Sequence, residues 1–170
     1  MFISIIGEGI KFMRKISEDD FERKYYNYKD TIYSIALNYC HDEDDALDIT
    51  QDVFMKYLSD DKQFENDNHE LYWLIRVAIN TSLTFIKSKW KTSVYLNEEL
   101  LNKAKDENLS DDILRMRQIL NSLPDKYKEV IILYYYQNYN VNEIANILNI
   151  SLSNVKKRLE RAREIIKKEY

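Results

Sequence analysis

Glycine, proline and cysteine are nearly missing from this chain of 170 residues, which has two, one and one of them. Gly7 and Gly9 both lie before residue 10, and Pro124 is the single proline. Sheets and hairpins normally need glycine-bearing turns. Their absence beyond residue 10 predicts helices joined by polar turns of Asn, Asp and Ser. The lone Cys40 excludes an intramolecular disulfide and suits a reducing compartment, the cytoplasm. His41 and His69 lack the neighbours that a structural zinc requires. No apolar run approaches the roughly 20 residues that cross a bilayer, so no membrane insertion is expected. A glycine-rich phosphate loop, a metal cluster and a nucleophile–base pair are missing too, so neither catalysis nor a cofactor is expected. The opening Met1–Ile10 is apolar, but without a basic leader or a small-residue cleavage site it is not read as a signal peptide. Gly7-Glu8-Gly9 lies shortly before Met13, and its codons can spell a purine-rich ribosome-binding sequence. We therefore read residues 1–12 as a non-native extension.

What is present is apolar content of 45%, enough for real cores, and charged content of 32%. The net charge of −4 looks wrong for a nucleic-acid binder until it is resolved along the chain. Asp42 to Glu70 holds eleven acids and two lysines. Leu71 to Asn97 holds four basic residues and no acid, and Ser151 to Tyr170 holds seven basic residues and three acids. One acidic surface and two basic ones result. DNA attraction acts locally through phosphates, so the distribution says more than the sum.

Periodicity places the elements. Phe21 to Cys40 reads as a helix with Tyr25, Tyr28, Ile32, Ile35, Ala36 and Tyr39 on one stripe. A second helix runs from about Asp45 to Leu58, capped by Asp44 or Asp45, with Ala46, Ile49, Val53, Phe54 and Tyr57 inside. Ser59 to His69 is a polar loop. A third helix, about Glu70 to Lys89, packs through Leu71, Leu74, Ile75, Ala78 and Phe85, while Arg76, Asn80, Thr84 and Lys87 form a second face. The first domain thus spans 13–91. Residues 92–110 read as a flexible linker with one helical turn near Glu98–Ala104, and a second domain fills 111–170. It opens with a short helix ended by Pro124, which can itself start the next one, Asp125 to Gln137. The tyrosines Tyr134, Tyr135, Tyr136 and Tyr139 are read mostly as core or core-edge side chains. The expected fold is all-α, as two small helical domains on a tether.

The last thirty residues carry the strongest pattern. Val141–Leu148 is a short helix with Ile144, Ala145 and Leu148 inside, and Asn149-Ile150-Ser151 is a turn. A longer basic helix follows, buried through Val155, Leu159, Ala162 and Ile166. Small Ala145 allows a close crossing, and Asn149 tolerates the left-handed conformation of the sharp turn. This is a helix-turn-helix. Ser153, Asn154, Lys156, Lys157 and Arg161 are placed to read base edges in the major groove. Arg158, Arg163, Lys167 and Lys168 suit the phosphate backbone.

These residues resemble a known family. Leu123-Pro124-Asp125-Lys126-Tyr127-Lys128-Glu129-Val130, Asn142-Glu143-Ile144-Ala145 and Val155–Arg163 are similar to region 4 of the sigma-70 family. Asp45–Phe54 resembles region 2.2, and Trp73–Asn80 resembles regions 2.3 and 2.4. The order of the blocks, with no region 1.1 or 3, is the layout of the extracytoplasmic-function (ECF) type. The resemblance implies a sigma factor whose partners are core RNA polymerase (the β′ clamp coiled coil and the β flap) and promoter DNA. It also admits control by an anti-sigma protein.

The resemblance further implies roles. Asp48, Gln51 and Asp52, with Phe54 or Met55 as apolar support, would meet the clamp coiled coil. Phe64, Asn66 and Asn68, with Asn80, would capture a base flipped from the −10 element, and Arg76 and Lys87 would hold phosphates. Trp73 is read as packing. The −35 element would be read by Ser153, Asn154, Lys156, Lys157, Arg158, Arg161 and Arg163. Departures are visible. Lys87, Lys89 and Lys91 stand where the family often has arginines, and lysine offers no bidentate geometry. Lys157 replaces a commonly small residue, and Glu160 sits beside Arg161. The competing readings are a stand-alone helix-turn-helix regulator and a helical interaction module that has lost DNA binding.

Overall fold

A computed structural model describes residues 16–95 and 110–170. The expected extension 1–12 and the helical turn at Glu98–Ala104 lie outside the described residues, as does most of the expected linker; its first residues, 92–95, are helical rather than linker. Every regular element among the described residues is helical. The chain divides into two compact units, 1–81 and 82–170.

In the first unit, α1 (Glu18–Cys40) begins at Ser17, whose side chain accepts from the Asp20 amide. It starts three residues before the expected Phe21, because Glu18, Asp19 and Asp20 suit the positive end of the helix dipole. His41 ends α1 with φ 57° and donates its amide to the Leu37 carbonyl. Helix α2 (Glu43–Ser59) is capped by Asp42, two or three residues earlier than expected, with the Asp45 amide 2.9 Å from its carboxylate. Helix α3 (Asp67–Tyr95) also starts earlier than the apolar stripe, since the Asn66 side chain accepts from the His69 amide at 2.9 Å. The core is Ile32, Ile35, Ala36, Ile49, Val53, Leu74 and Ile75, all fully buried. Each large aliphatic side chain there contributes about 1.5–3 kcal/mol.

In the second unit, α4 (Asp111–Ser122) is followed by Leu123 and Pro124, and Pro124 precedes α5 (Asp125–Ile131). The expected helix to Gln137 does not stay α. Ile132–Tyr136 is π-helical, and the Gln137 amide reaches back to the Ile132 carbonyl at 3.0 Å. Val130, Ile131, Ile132 and Leu133 are consecutively buried, which no single amphipathic stripe allows. This segment is therefore packed on several sides. The wider turn then sends Tyr135 and Tyr136 outward, 51% and 44% exposed, whereas Tyr134 and Tyr139 are half-buried at the core edge. Helices α6 (Val141–Leu148) and α7 (Leu152–Glu169) complete the unit. Ile147 is fully buried beside Ile144, whereas Ala145 and Leu148 are half-buried. The positive φ values of His41, Asn138 and Asn149 show how these turns form without glycine.

Candidate nucleic-acid and polymerase interfaces

The geometry of α6 and α7 is fixed by local bonds. Asn140 accepts from the amides of Asn142 and Glu143 at 2.9 and 3.1 Å, while the Glu143 carboxylate accepts from the Asn140 amide at 2.8 Å. That capping box holds the start of α6. Asn149 ends it in the left-handed region (φ 53°, ψ 48°), and the Ile150 amide returns to the Ala145 carbonyl at 3.0 Å. Two residues on, Ser151 caps α7 by accepting from the Asn154 amide. Val155, Leu159 and Ala162 are buried, and Ile166 is half-buried.

The opposite face of α7 is basic and open. Ser153, Lys156, Lys157 and Arg161 are exposed, and Asn154 is half-buried. Arg161 makes a 2.8 Å ion pair with Glu164, both side chains about half or more exposed, so water screens it strongly. The other two arginines are tied to neighbouring side chains, Arg158 half-buried and Arg163 at the surface. Arg158 pairs with Glu129 of α5 and donates to the Asn154 carbonyl oxygen at 3.2 Å. Burial pushes the Glu129 carboxyl up, and the Arg158 guanidinium partly offsets this. Arg163 lies 5.7 and 5.8 Å from the ring centres of Tyr134 and Tyr135 and donates to the Tyr135 hydroxyl at 2.9 Å. Lys128, unexpectedly buried, is held near the Asn121 carbonyl at 3.4 Å, and burial lowers its pKa.

Beside α7 the second unit has an apolar groove of about 480 Å³. Met116, Leu120, Ile131, Tyr135, Tyr136 and Ile166 line it, with Arg163 and Lys167 at its rim. The tyrosines could not be assigned here from the sequence, because the π-helical turn that exposes them has no signature in the residue spacing.

On the first unit, α2 presents Asp48, Gln51, Asp52 and Met55 to solvent. Phe54 is only 4% exposed and packs edge-on against Tyr25, 4.8 Å between ring centres. It supports the surface from beneath. Leu47, 57% exposed, is a surface residue that sequence reasoning missed. Its signal was available: Leu47, Gln51 and Met55 recur every four residues along one face. A groove of about 510 Å³ lies there, lined by Tyr25, Leu47, Gln51, Phe54, Met55 and Leu58.

At the start of α3 the polar loop meets an aromatic cluster. The half-buried Phe64 lies nearly parallel to Tyr57, 6.4 Å between centres, and 5.6 Å from both Trp73 and His69. Below it, buried Glu70 accepts from the Tyr57 and Tyr28 hydroxyls at 2.6 and 3.4 Å and pairs with Lys24 at 2.5 Å. Lys24 also reaches Asp67 at 2.6 Å. Burial opposes the Lys24 charge, but these carboxylates outweigh it and raise the pKa. Asn66 accepts from the His69 amide through its oxygen, and Asn66, Asn68 and Asn80 are all exposed. Arg76 is half-buried, and burial lowers its pKa, while Lys87 is exposed. Lys24 and Glu70 were missed because their partners are 46 residues apart and no local pattern links them.

A helix-turn-helix with an exposed basic second helix, on a chain with an acidic helical unit, defines the class of helical DNA-binding proteins. Comparisons narrow this. Residues 25–92 match the family description "Sigma-70 region 2", and residues 113–166 match "Sigma-70, region 4". The chain is 32% identical over 143 residues to RNA polymerase sigma factor SigV of Bacillus subtilis (strain 168), covering 83% of this chain and 85% of that one. It is 30% identical over 181 residues to the ECF RNA polymerase sigma factor SigW of the same organism, covering 97% and 96%. Its fold matches a co-crystal structure of the sigma factor RpoE with the anti-sigma factor NepR from Bartonella quintana. The TM-score is 0.62 at 21% identity, over 89% of this chain and 96% of that one. The chain belongs to the ECF type of the sigma-70 family. It is an alternative sigma factor that binds core RNA polymerase and directs promoter-specific transcription initiation. The match over 25–92 is what a stand-alone helix-turn-helix regulator would lack.

Proposed function

We propose that the two units divide the promoter between them, with residues 13–91 holding polymerase and opening the −10 element and residues 111–170 reading the −35 duplex. The observation that carries this is the open basic face of α7, where Ser153, Asn154, Lys156, Lys157 and Arg161 stand along the first turns behind a well-capped helix start. Helix N-terminal residues are the ones that reach base edges in helix-turn-helix proteins. Asp48, Gln51, Asp52 and Met55, joined by Leu47, meet the β′ clamp coiled coil, and Phe54 forms the floor. The apolar groove beside α7 takes the β flap. Phe64, Asn68 and Asn80 face the −10 strand, with Arg76 and Lys87 on its phosphates. Neither unit need bind tightly alone, because the polymerase holds both near the promoter and raises effective concentration. The protein works in the cytoplasm and catalyses no reaction of its own. An anti-sigma protein regulates it, on the pattern of the RpoE–NepR complex.

The test is run-off transcription with purified core polymerase, this protein and a fragmented genomic library. Transcripts sharing an upstream motif, lost in the Lys156→Ala/Lys157→Ala/Arg161→Ala variant, are expected. Specific duplex binding by the protein alone, with no transcripts, would overturn the reading.

A further inference from the structure

This inference rests on the reading of α7 as the helix that reads the −35 element. Arg158 lies within the basic stretch of that helix, and its residue type alone puts it among the DNA contacts. Its guanidinium is instead turned to α5. One Nη donates to the Glu129 carboxylate, and Nε donates to Asn154 Oδ1 at 3.2 Å. The ion pair is enclosed, with the two side chains only 20% and 18% exposed. A carboxylate so placed needs its guanidinium, because an uncompensated buried charge is strongly unfavourable. Arg158 is therefore not available to a phosphate without stranding Glu129.

The second bond bears on base reading. A guanidinium has donors only, so the Asn154 atom it meets is the carbonyl oxygen. That settles which way the amide points. The Asn154 amino group is left as the donor, on a half-buried side chain in the first turn of α7, beside exposed Ser153 and Lys157. The bidentate contact of asparagine to adenine uses oxygen and nitrogen together. With its oxygen held toward Arg158, Asn154 is set up to donate alone.

We propose that Arg158 is a positioning residue that, anchored by Glu129, presents Asn154 to the major groove as a hydrogen-bond donor. It thereby selects at one −35 base pair an edge rich in acceptors, guanine O6/N7 or thymine O4. Three residues on two helices would set one letter of the promoter without the arginine touching DNA.

The experiment uses holoenzyme assembled from the full chain and core polymerase. Promoter fragments carry each of the four bases in turn at every −35 position and compete for binding over a range of salt. Arg158→Met is compared with the Glu129→Gln/Arg158→Met pair, which leaves no stranded carboxylate and keeps the test valid if the single variant unfolds. The expected result is a loss of about fivefold preference at one base pair, with adenine newly accepted there and the salt slope unchanged. If Arg158 instead holds a phosphate, binding weakens equally on every sequence and the slope drops by about 0.9. That outcome overturns the proposal, and so does an unaltered preference in both variants. Lys156→Ala/Lys157→Ala serves as the reference for α7. If that variant leaves the salt slope unchanged, the reading of α7 falls, and the role of Arg158 falls with it.

Discussion

Replacing Lys24 by methionine should unfold the first unit far more readily than the loss of one surface lysine would suggest. The Lys24 side chain is 15% exposed and the Glu70 side chain 7%, and their charges sit 2.5 Å apart. Truncating one partner of such a pair leaves an uncompensated charge, at a cost of about 3–5 kcal/mol. Glu70 keeps the Tyr57 hydroxyl at 2.6 Å and a longer contact to Tyr28, so the low end applies, about 3 kcal/mol. Methionine retains most of the packing of the lysine stem, so the loss isolates the charge. Adding Glu70→Gln should recover most of it, because the amide oxygen can still accept from Tyr57 and carries no charge. With two units, whole-chain unfolding need not be two-state. The assay is therefore native-state amide exchange at Ile32, Ile35 and Ile49, core residues of the first unit. A Lys24→Met opening free energy within about 0.5 kcal/mol of the parent, the range of an ordinary surface substitution, would refute the argument. So would a double variant no more stable than the single one.

Three further outcomes are expected. The Asp67 carboxyl is held below its usual range by its hydrogen bond to Lys24 and then by that ammonium's charge, so its contribution is present above its ordinary pKa of 3.8 and fades as pH falls through the lowered value. The urea midpoint of Asp67→Asn should accordingly converge on the parent's as pH drops below about 4. At Asn149, where φ is 53°, a glycine should be tolerated and a valine should cost about 1–2 kcal/mol in thermal unfolding of the second unit. Leu47→Ala/Met55→Ala should weaken core-polymerase binding by about tenfold or more in a pull-down titration while leaving stability within about 0.5 kcal/mol, since both side chains are over half exposed.

The helices, the two-part layout and the helix-turn-helix were legible in the sequence because each rests on near neighbours. Ile32, Ile35 and Ala36 repeat at helical spacing, and the missing glycine forces Asn149 into a left-handed turn whose consequences stay within a few residues. The starts of α1, α2 and α3 were misplaced by two or three residues. Caps such as Asp42 and Asn66 act through single side-chain bonds outside the apolar stripe, which spacing does not reveal. Charge along the chain likewise marked the acidic α2 and basic α7, since surface charge needs no partner to be read.

Only the tertiary structure decided which charges are spent. Arg158 and Arg161 look alike in the sequence, yet one faces Glu129 across to α5 and the other faces solvent, because buried Val155, Leu159 and Ala162 fix how α7 is rotated. Lys24, Glu70, Tyr28 and Tyr57 come from three helices, and their meeting depends on how those helices pack. The same holds for the exposed Tyr135 and Tyr136, turned outward by a π-helical turn. Local periodicity fixes what a residue type and its near neighbours can do. Which side of a packed helix meets another element, and so which arginine remains for DNA, is a property of the assembled core.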